Sequence, residues 1–180
     1  MKITVAPGIE FEIIQTPEDV RVATAMLTEV QPARVVELGT RHYGYCALCH
    51  ATVQAAEIWT YDLLVRPLTA AQAGWMGQGL HAVCADVHNE PWKIADVLRW
   101  RVDGPTVLWC DAGRRLLLAQ QYARWLRVGD VLGVHDWGGW RLGPASMEYV
   151  LNGFEPLAAA GEDGSARYWR RVEIAQEQSP

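Results

Sequence analysis

The chain has no uninterrupted apolar run approaching the roughly 20 residues needed to cross a bilayer, so insertion in a membrane is not expected. It also has no basic block longer than Arg170-Arg171, and its formal net charge is -5. That balance argues against general binding to a nucleic-acid backbone. The start, Met1-Lys2-Ile3-Thr4-Val5-Ala6-Pro7-Gly8, lacks the long apolar core of a signal peptide, and the expectation is a cytoplasmic protein with reduced thiols. What remains is a 180-residue chain with apolar and charged fractions of an ordinary globular protein, long enough for one domain with a real core. Its 9 tryptophans are unusual, and most fall in or beside expected strands and helices, where core packing explains them.

Residues 1–15 alternate loosely around the turn pair Pro7-Gly8 and read as an N-terminal arm or hairpin, to which no chemistry is assigned. Thr16-Pro17-Glu18-Asp19 is a helix start, with a hydroxyl cap, proline at the first position and acids facing the positive dipole end. Val20, Ala23, Leu27 and Val30 share one face of that helix, and Gln31-Pro32 stops it. Arg34 to Leu38 then reads as a first strand, delivering Gly39-Thr40-Arg41-His42-Tyr43-Gly44 to a helix from Tyr45 to Val53. Further strands are expected at 57–62, 81–87, 105–111 and 129–136, separated by helices from about Thr69, from Pro91 to Trp100, and around Leu118, Tyr122 and Trp125.

Strands alternating with helices imply right-handed crossovers and an α/β fold with a doubly wound, mostly parallel sheet. A helix from about Pro144 to Leu151, an apolar run at Phe154 to Leu157, a turn at Gly161 to Gly164 and a strand from Arg167 to Ile174 add a closing antiparallel hairpin. Residues 16–175 form the single domain, and 176–180 a frayed tail. Glu37, Asp62, Asp86, Asp111 and Asp136 all stand at or next to strand ends. In such a sheet these ends share one rim, where ligands bind at the switch in strand order. Any one acid there serves equally well as a turn residue, but that explanation is less comfortable for the whole set.

Several local signals carry two readings. Cys46-Ala47-Leu48-Cys49-His50 matches a haem-attachment spacing and would also suit zinc or redox chemistry; small core residues are the favoured reading for all 4 cysteines. His88-Asn89-Glu90 would offer a ligand or merely a solvated loop. Trp137, Gly138, Gly139 and Trp140 suit either a flap closing over a substrate or a patch packed on the last helix.

The order of elements, the acid-ended strands and the closing hairpin resemble the class I S-adenosylmethionine (SAM)-dependent methyltransferases. Gln15-Thr16-Pro17-Glu18-Asp19 ahead of Val36-Glu37-Leu38-Gly39-Thr40, with Cys110-Asp111-Ala112-Gly113 and Val134-His135-Asp136-Trp137, is similar to the cephalosporin-hydroxylase-like and sugar O-methyltransferase groups. The resemblance implies a Rossmann-like fold that transfers a methyl group to an oxygen of a small molecule or sugar. It implies that Glu37, Gly39, Thr40 and Gly44 line the methionine end of SAM. Asp62 would hold the ribose, Asp86 and Val87 would face adenine, and Asp111 would adjoin the reacting centre. Asp111 and Asp136 match positions that hold magnesium in the metal-dependent members, and two carboxylates about 5 Å apart on adjacent strands suit such an ion. His135 would then take the acceptor's proton. Tyr43 and Arg114 depart from the pattern, the first beside the cofactor loop and the second where a histidine base is common. They favour an alternative, a non-catalytic binding or assembly module of the same fold. Little chain is left for a lid, so the substrate site is expected to be open or completed by a second copy.

Overall fold

The computed structural model describes residues 1–54, 56–138, 142–157 and 165–173. Strands β1 (Lys2–Ala6) and β2 (Ile9–Glu12) form an antiparallel hairpin. The chain continues through α1 (Pro17–Val30), β3 (Arg34–Leu38), α2 (Gly44–Thr52), β4 (Glu57–Asp62), α3 (Ala70–Met76), β5 (Leu80–Cys84) and α4 (Pro91–Arg99). It then forms β6 (Thr106–Cys110), α5 (Arg115–Tyr122), β7 (Val131–Val134), α6 (Pro144–Met147), β8 (Phe154–Pro156) and β9 (Arg167–Arg171). The main sheet has 7 strands in the order β5-β4-β3-β6-β7-β9-β8. β5 to β7 pair in parallel, and β9 and β8 close the sheet antiparallel. This is the Rossmann-like arrangement, with the order reversing between β3 and β6.

β3 and β6 are buried along their whole length, because helices cover both faces of a parallel sheet. The strand period of two divides their side chains between layers. Val35, Val107 and Val131 face α1, α2 and the hairpin, where Phe11 and Ile13 join the core. Val36, Leu108 and Leu132 face α4 and α5. Arg34, 2% exposed, ties the lower end of β3 to α4: its guanidinium pairs with Glu57 at 2.8 Å and donates to the carbonyl of Val97 at 2.6 Å.

The start of α1 does more than cap a helix. Thr16 Oγ1 accepts from the Asp19 amide, and Asp19 Oδ2 accepts from the Thr16 amide at 3.1 Å. Asp19 Oδ1 also accepts from the amides of Ser165 and Ala166, both at 2.8 Å, which fastens the entry to β9 against α1. Burial works against a charged Asp19, but the donors of Thr16, Ala166 and Ser165 outweigh it and hold its pKa below the usual value.

Some expected boundaries shift. β5 ends at Cys84, three residues short of Val87, because it is the edge strand and lacks a neighbour beyond it. For the same reason Cys84 is exposed, not a core residue; its thiol donates to the Leu63 carbonyl. Cys46, Cys49 and Cys110 are buried. Trp92 and Trp100 are also exposed, so core packing does not account for every tryptophan. α6 is a single turn ending at Met147. β9 ends at Arg171, with Val172 and Glu173 already beyond it, short of the expected Ile174; the expected turn at 161–164, Ile174 itself and the tail at 176–180 lie outside the described residues. Among those described, no helix is long and apolar enough to cross a membrane.

Gly44 opens α2 directly beneath the chain leaving β2. A Cβ there would stand 2.5 Å from the Glu12 carbonyl oxygen and 2.6 Å from Ile13 Cα, both backbone atoms that cannot turn aside. Gly44→Ala is therefore expected to lose about 1–3 kcal/mol of stability, read as a lower urea midpoint with an unchanged slope.

Candidate functional site

A cleft of about 490 Å³ opens at the carboxyl ends of the strands. Glu37, Gly39, Thr40, Gly44, Asp62, Asp86, Val87, Asp111, His135 and Asp136 all line it. So do Glu12, the last residue of β2, and Ile14 and Gln15 from the strap that follows it, a segment given no chemistry on sequence grounds. The strap is held there by a contact between Glu12 Oε2 and His42 Nδ1 at 3.2 Å and by a hydrogen bond from Gln15 Nε2 to Asp111 Oδ2 at 2.8 Å.

Gly39 has φ +101° and lies so close to the loop after β6 that a Cβ would sit 2.7 Å from the Ala112 amide nitrogen. Only glycine lets these two loops converge at the switch point. Behind it, Glu37 is 1% exposed and its Oε2 accepts from the Cys46 thiol at 2.8 Å and the Thr60 hydroxyl at 2.6 Å. Burial raises its pKa to about 7 despite those donors. Cys46 of the C-x-x-C-H segment thus serves as a donor to Glu37, and His50 turns away to the Trp75 carbonyl.

Asp62 accepts from the backbone amides of Arg41 at 3.1 Å and Leu64 at 3.3 Å, bracing the loop after β3. Asp86 accepts from the amides of His88 and Asn89 and from Asn89 Nδ2, which together lower its pKa. Its carboxylate is largely engaged as a turn residue. Buried Val87 takes the Tyr122 hydroxyl on its carbonyl.

The far end of the cleft is a charged lattice. His135 Nδ1 lies 2.9 Å from Asp111 Oδ1, and its Nε2 lies 3.2 Å from Ser165 Oγ and 3.6 Å from Asp19 Oδ2. Burial alone would lower the His135 pKa, but the Asp111 hydrogen bond and the charges of Asp111, Asp136 and Asp19 outweigh it and hold it above the ordinary value. An imidazole so engaged on both nitrogens orients carboxylates better than it accepts a substrate proton. Arg115 is the residue that sequence reasoning missed. Its Nη2 spans the two acids, 2.8 Å from Asp136 Oδ2 and 3.3 Å from Asp111 Oδ1. Arg114, which stands where a histidine base is common in the resembling family, occupies the N-cap position of α5 and is exposed. One residue of helix phase separates the two, and the signal that would have found Arg115 is a cation in a first helical turn, where the dipole disfavours it.

Tyr43 does not crowd the cleft. It adopts a left-handed conformation at φ 59°, turns its ring into the core and donates to the Arg66 carbonyl at 2.9 Å. Trp137 packs against Trp169, with ring centroids 4.9 Å apart; Gly139 and Trp140 lie outside the described residues.

A divalent ion does not fit this lattice as it stands. Asp111 Oδ1 already meets His135 and Arg115, and its Oδ2 meets Gln15. Among the described residues, no group of three or more His, Cys, Asp or Glu side chains is arranged to hold a metal. Two unit charges 4 Å apart interact by about 4 kcal/mol at an effective dielectric near 20, so a doubly charged ion would meet about twice that in repulsion from the guanidinium.

No family model and no curated protein matches the chain. Solved structures do. The CmcI-N160 apo-structure superposes over 91% of this chain and 74% of its own, with TM-score 0.71 and 18% identity. A cmcI-D160 structure with Mg and SAM covers 90% and 74%, with TM-score 0.67 and 18% identity. A Burkholderia thailandensis 1,6-didemethyltoxoflavin-N1-methyltransferase, with its substrate and S-adenosylhomocysteine bound, covers 86% and 79%, with TM-score 0.56 and 13% identity. At these identities the likeness establishes the fold alone, the Rossmann-like α/β arrangement that these structures share with this chain.

Glu37 supplies a pH test. Its folded-state pKa of about 7 lies above the ordinary carboxyl value of 4.5, so its contribution to stability is full below about pH 4.5 and is lost as pH rises through 7. Glu37→Gln keeps the shape and does not titrate. Relative to the parent, the variant is expected to gain stability between pH 5 and pH 8, by up to about 3 kcal/mol, in thermal melts across that range. A constant difference between the two melting curves would contradict a buried titrating Glu37.

Proposed function

We propose that this chain is a SAM-dependent methyltransferase that methylates an oxygen of a small molecule or sugar. The observation that carries this reading is the convergence of Glu37, Thr40, Asp62 and Val87, from three successive strand ends, on the cleft that also holds Asp111 and Asp136. Each has a matching partner on the cofactor. Glu37, ionised in the complex, and Thr40 would receive the methionine ammonium and carboxylate end. Asp62 would accept from the ribose hydroxyls, and Val87 would give adenine an apolar wall. Asp86 would lie at the adenine edge.

The bound cofactor supplies a methyl group on a positively charged sulfur. What the chain must do is aim an acceptor lone pair at that carbon and receive a proton. Asp136 is half exposed on the cleft floor and is the carboxylate placed to accept a hydrogen bond from the acceptor hydroxyl. Asp136 would take the hydroxyl proton as the acceptor oxygen receives the methyl group, and would pass it on to water. His135 and Gln15 hold Asp111 beside it. Half-exposed Ile14 on the strap offers an apolar contact for the acceptor. A cleft of this size, shared with the cofactor, suits a small acceptor.

Calorimetric titration with SAM and S-adenosylhomocysteine tests the reading. Saturable binding is expected, weakened about 10- to 100-fold by Asp62→Ala through loss of charged hydrogen bonds. Absence of binding to the parent chain overturns the proposal. Binding without methyl transfer to any hydroxylated acceptor, followed by mass spectrometry, would favour the non-catalytic module instead.

A further inference from the structure

We propose that Arg115 is the resident cation of the acceptor end and that it keeps the Asp111–Asp136 pair from taking a divalent metal. The exclusion of a metal does not rest on the cofactor reading, because it concerns only charges that the chain itself carries; its consequence for the acceptor does rest on that reading.

Three features place the guanidinium as a built part of the site. Arg115 is the first residue of α5, so its charge lies at the positive end of a helix, and a position that disfavours it is offset by two facing carboxylates. Its Nη1 donates to the Gly113 carbonyl at 3.2 Å, anchoring the fork to the loop after β6, while Nη2 lies between the acids at 2.8 and 3.3 Å. Asp136 has φ 59°, in the left-handed region uncommon for a non-glycine residue, and in that conformation its carboxylate meets the guanidinium. A metal wants several free oxygens around an empty centre. Here the space between the two carboxylates holds an N–H group that supplies one positive charge and a fixed direction. An acceptor is therefore held by hydrogen bonding to Asp136 and not by chelation, which favours single hydroxyl groups over catechol-like or vicinal-diol chelators.

Mn²⁺ alone is the probe, followed by the loss of its free-ion paramagnetic resonance signal and by calorimetry, on the parent chain, Arg115→Met and Arg115→Lys. The parent and Arg115→Lys, which both carry a cation, are expected to show no saturable binding up to about 1 mM. Arg115→Met is expected to bind at least about tenfold more tightly. Micromolar binding by the parent that Asp136→Asn abolishes would overturn the proposal. So would a folded Arg115→Met, checked by its melting curve, that binds no better than the parent. If Arg115→Met fails to fold, the parent and Arg115→Lys titrations decide alone. Because no SAM is present, failure here is separable from failure of the methyltransferase reading.

Discussion

β3 is hydrogen-bonded on both sides, and that double register sets where everything else in the cleft stands. Leu38 lies opposite Tyr61 of β4 and opposite Cys110 of β6, so β3 and β6 end level and β4 runs one residue further. The next residues, Gly39, Asp62 and Asp111, therefore emerge side by side. The Gly39 amide still donates to Tyr61, and the Asp111 amide to Leu38, which continues the ladders into the loops. A slip of one residue in either pairing would turn a strand's side chains to the opposite layer and take its carboxylate off the rim. Burial of β3 and β6 on both faces forbids that slip, so the apolar core and the polar site depend on the same register.

The register alone does not close the site. Its cover comes from the chain preceding α1, which packs Phe11 and Ile13 into the core and passes over the start of α2 at the distance Gly44 permits. Asp19 then connects this cover to the entry of β9 through Ser165 and Ala166, and through Ser165 to His135. An acid that looks like a helix-capping residue thereby joins α1, β9 and the end of β7. A carboxylate with so many donors is costly to replace, because each donor would be left buried without a partner.

Legibility in the sequence followed the range of the interactions involved. β4 was expected at Glu57 to Asp62 and lies there, since a strand flanked by helical segments declares itself through local composition. The capped start of α1 at Thr16-Pro17 and the proline that opens α4 at Pro91 were legible for the same reason. The acids at the strand ends could be read because topology sends all of them to one rim. Their partners could not. Gln15 meets Asp111 across 96 residues of sequence, and Ser165 meets Asp19 across 146, and no local pattern encodes such encounters. Arg115 was missed by one position, because spacing counts residues along a loop whereas the helix phase at its end decides which side chain faces the cleft.

That phase changes the electrostatic character of the acceptor end. Carboxylates crowded at a strand rim repel one another and resist losing water, so a fold that gathers them must also provide positive charge. A bound metal does so only when present, with its binding dependent on supply. A guanidinium remains charged at every ordinary pH and is carried by the chain. Its charge is half that of a divalent ion and is spread over a plane, so it would polarise an acceptor oxygen less. It leaves the outer side of Asp136 open to solvent and to a hydroxyl group. A site built in this way gains constant charge balance and gives up Lewis acidity. On the proposed methyltransferase reading, such a site suits an acceptor whose own oxygen is already a competent nucleophile.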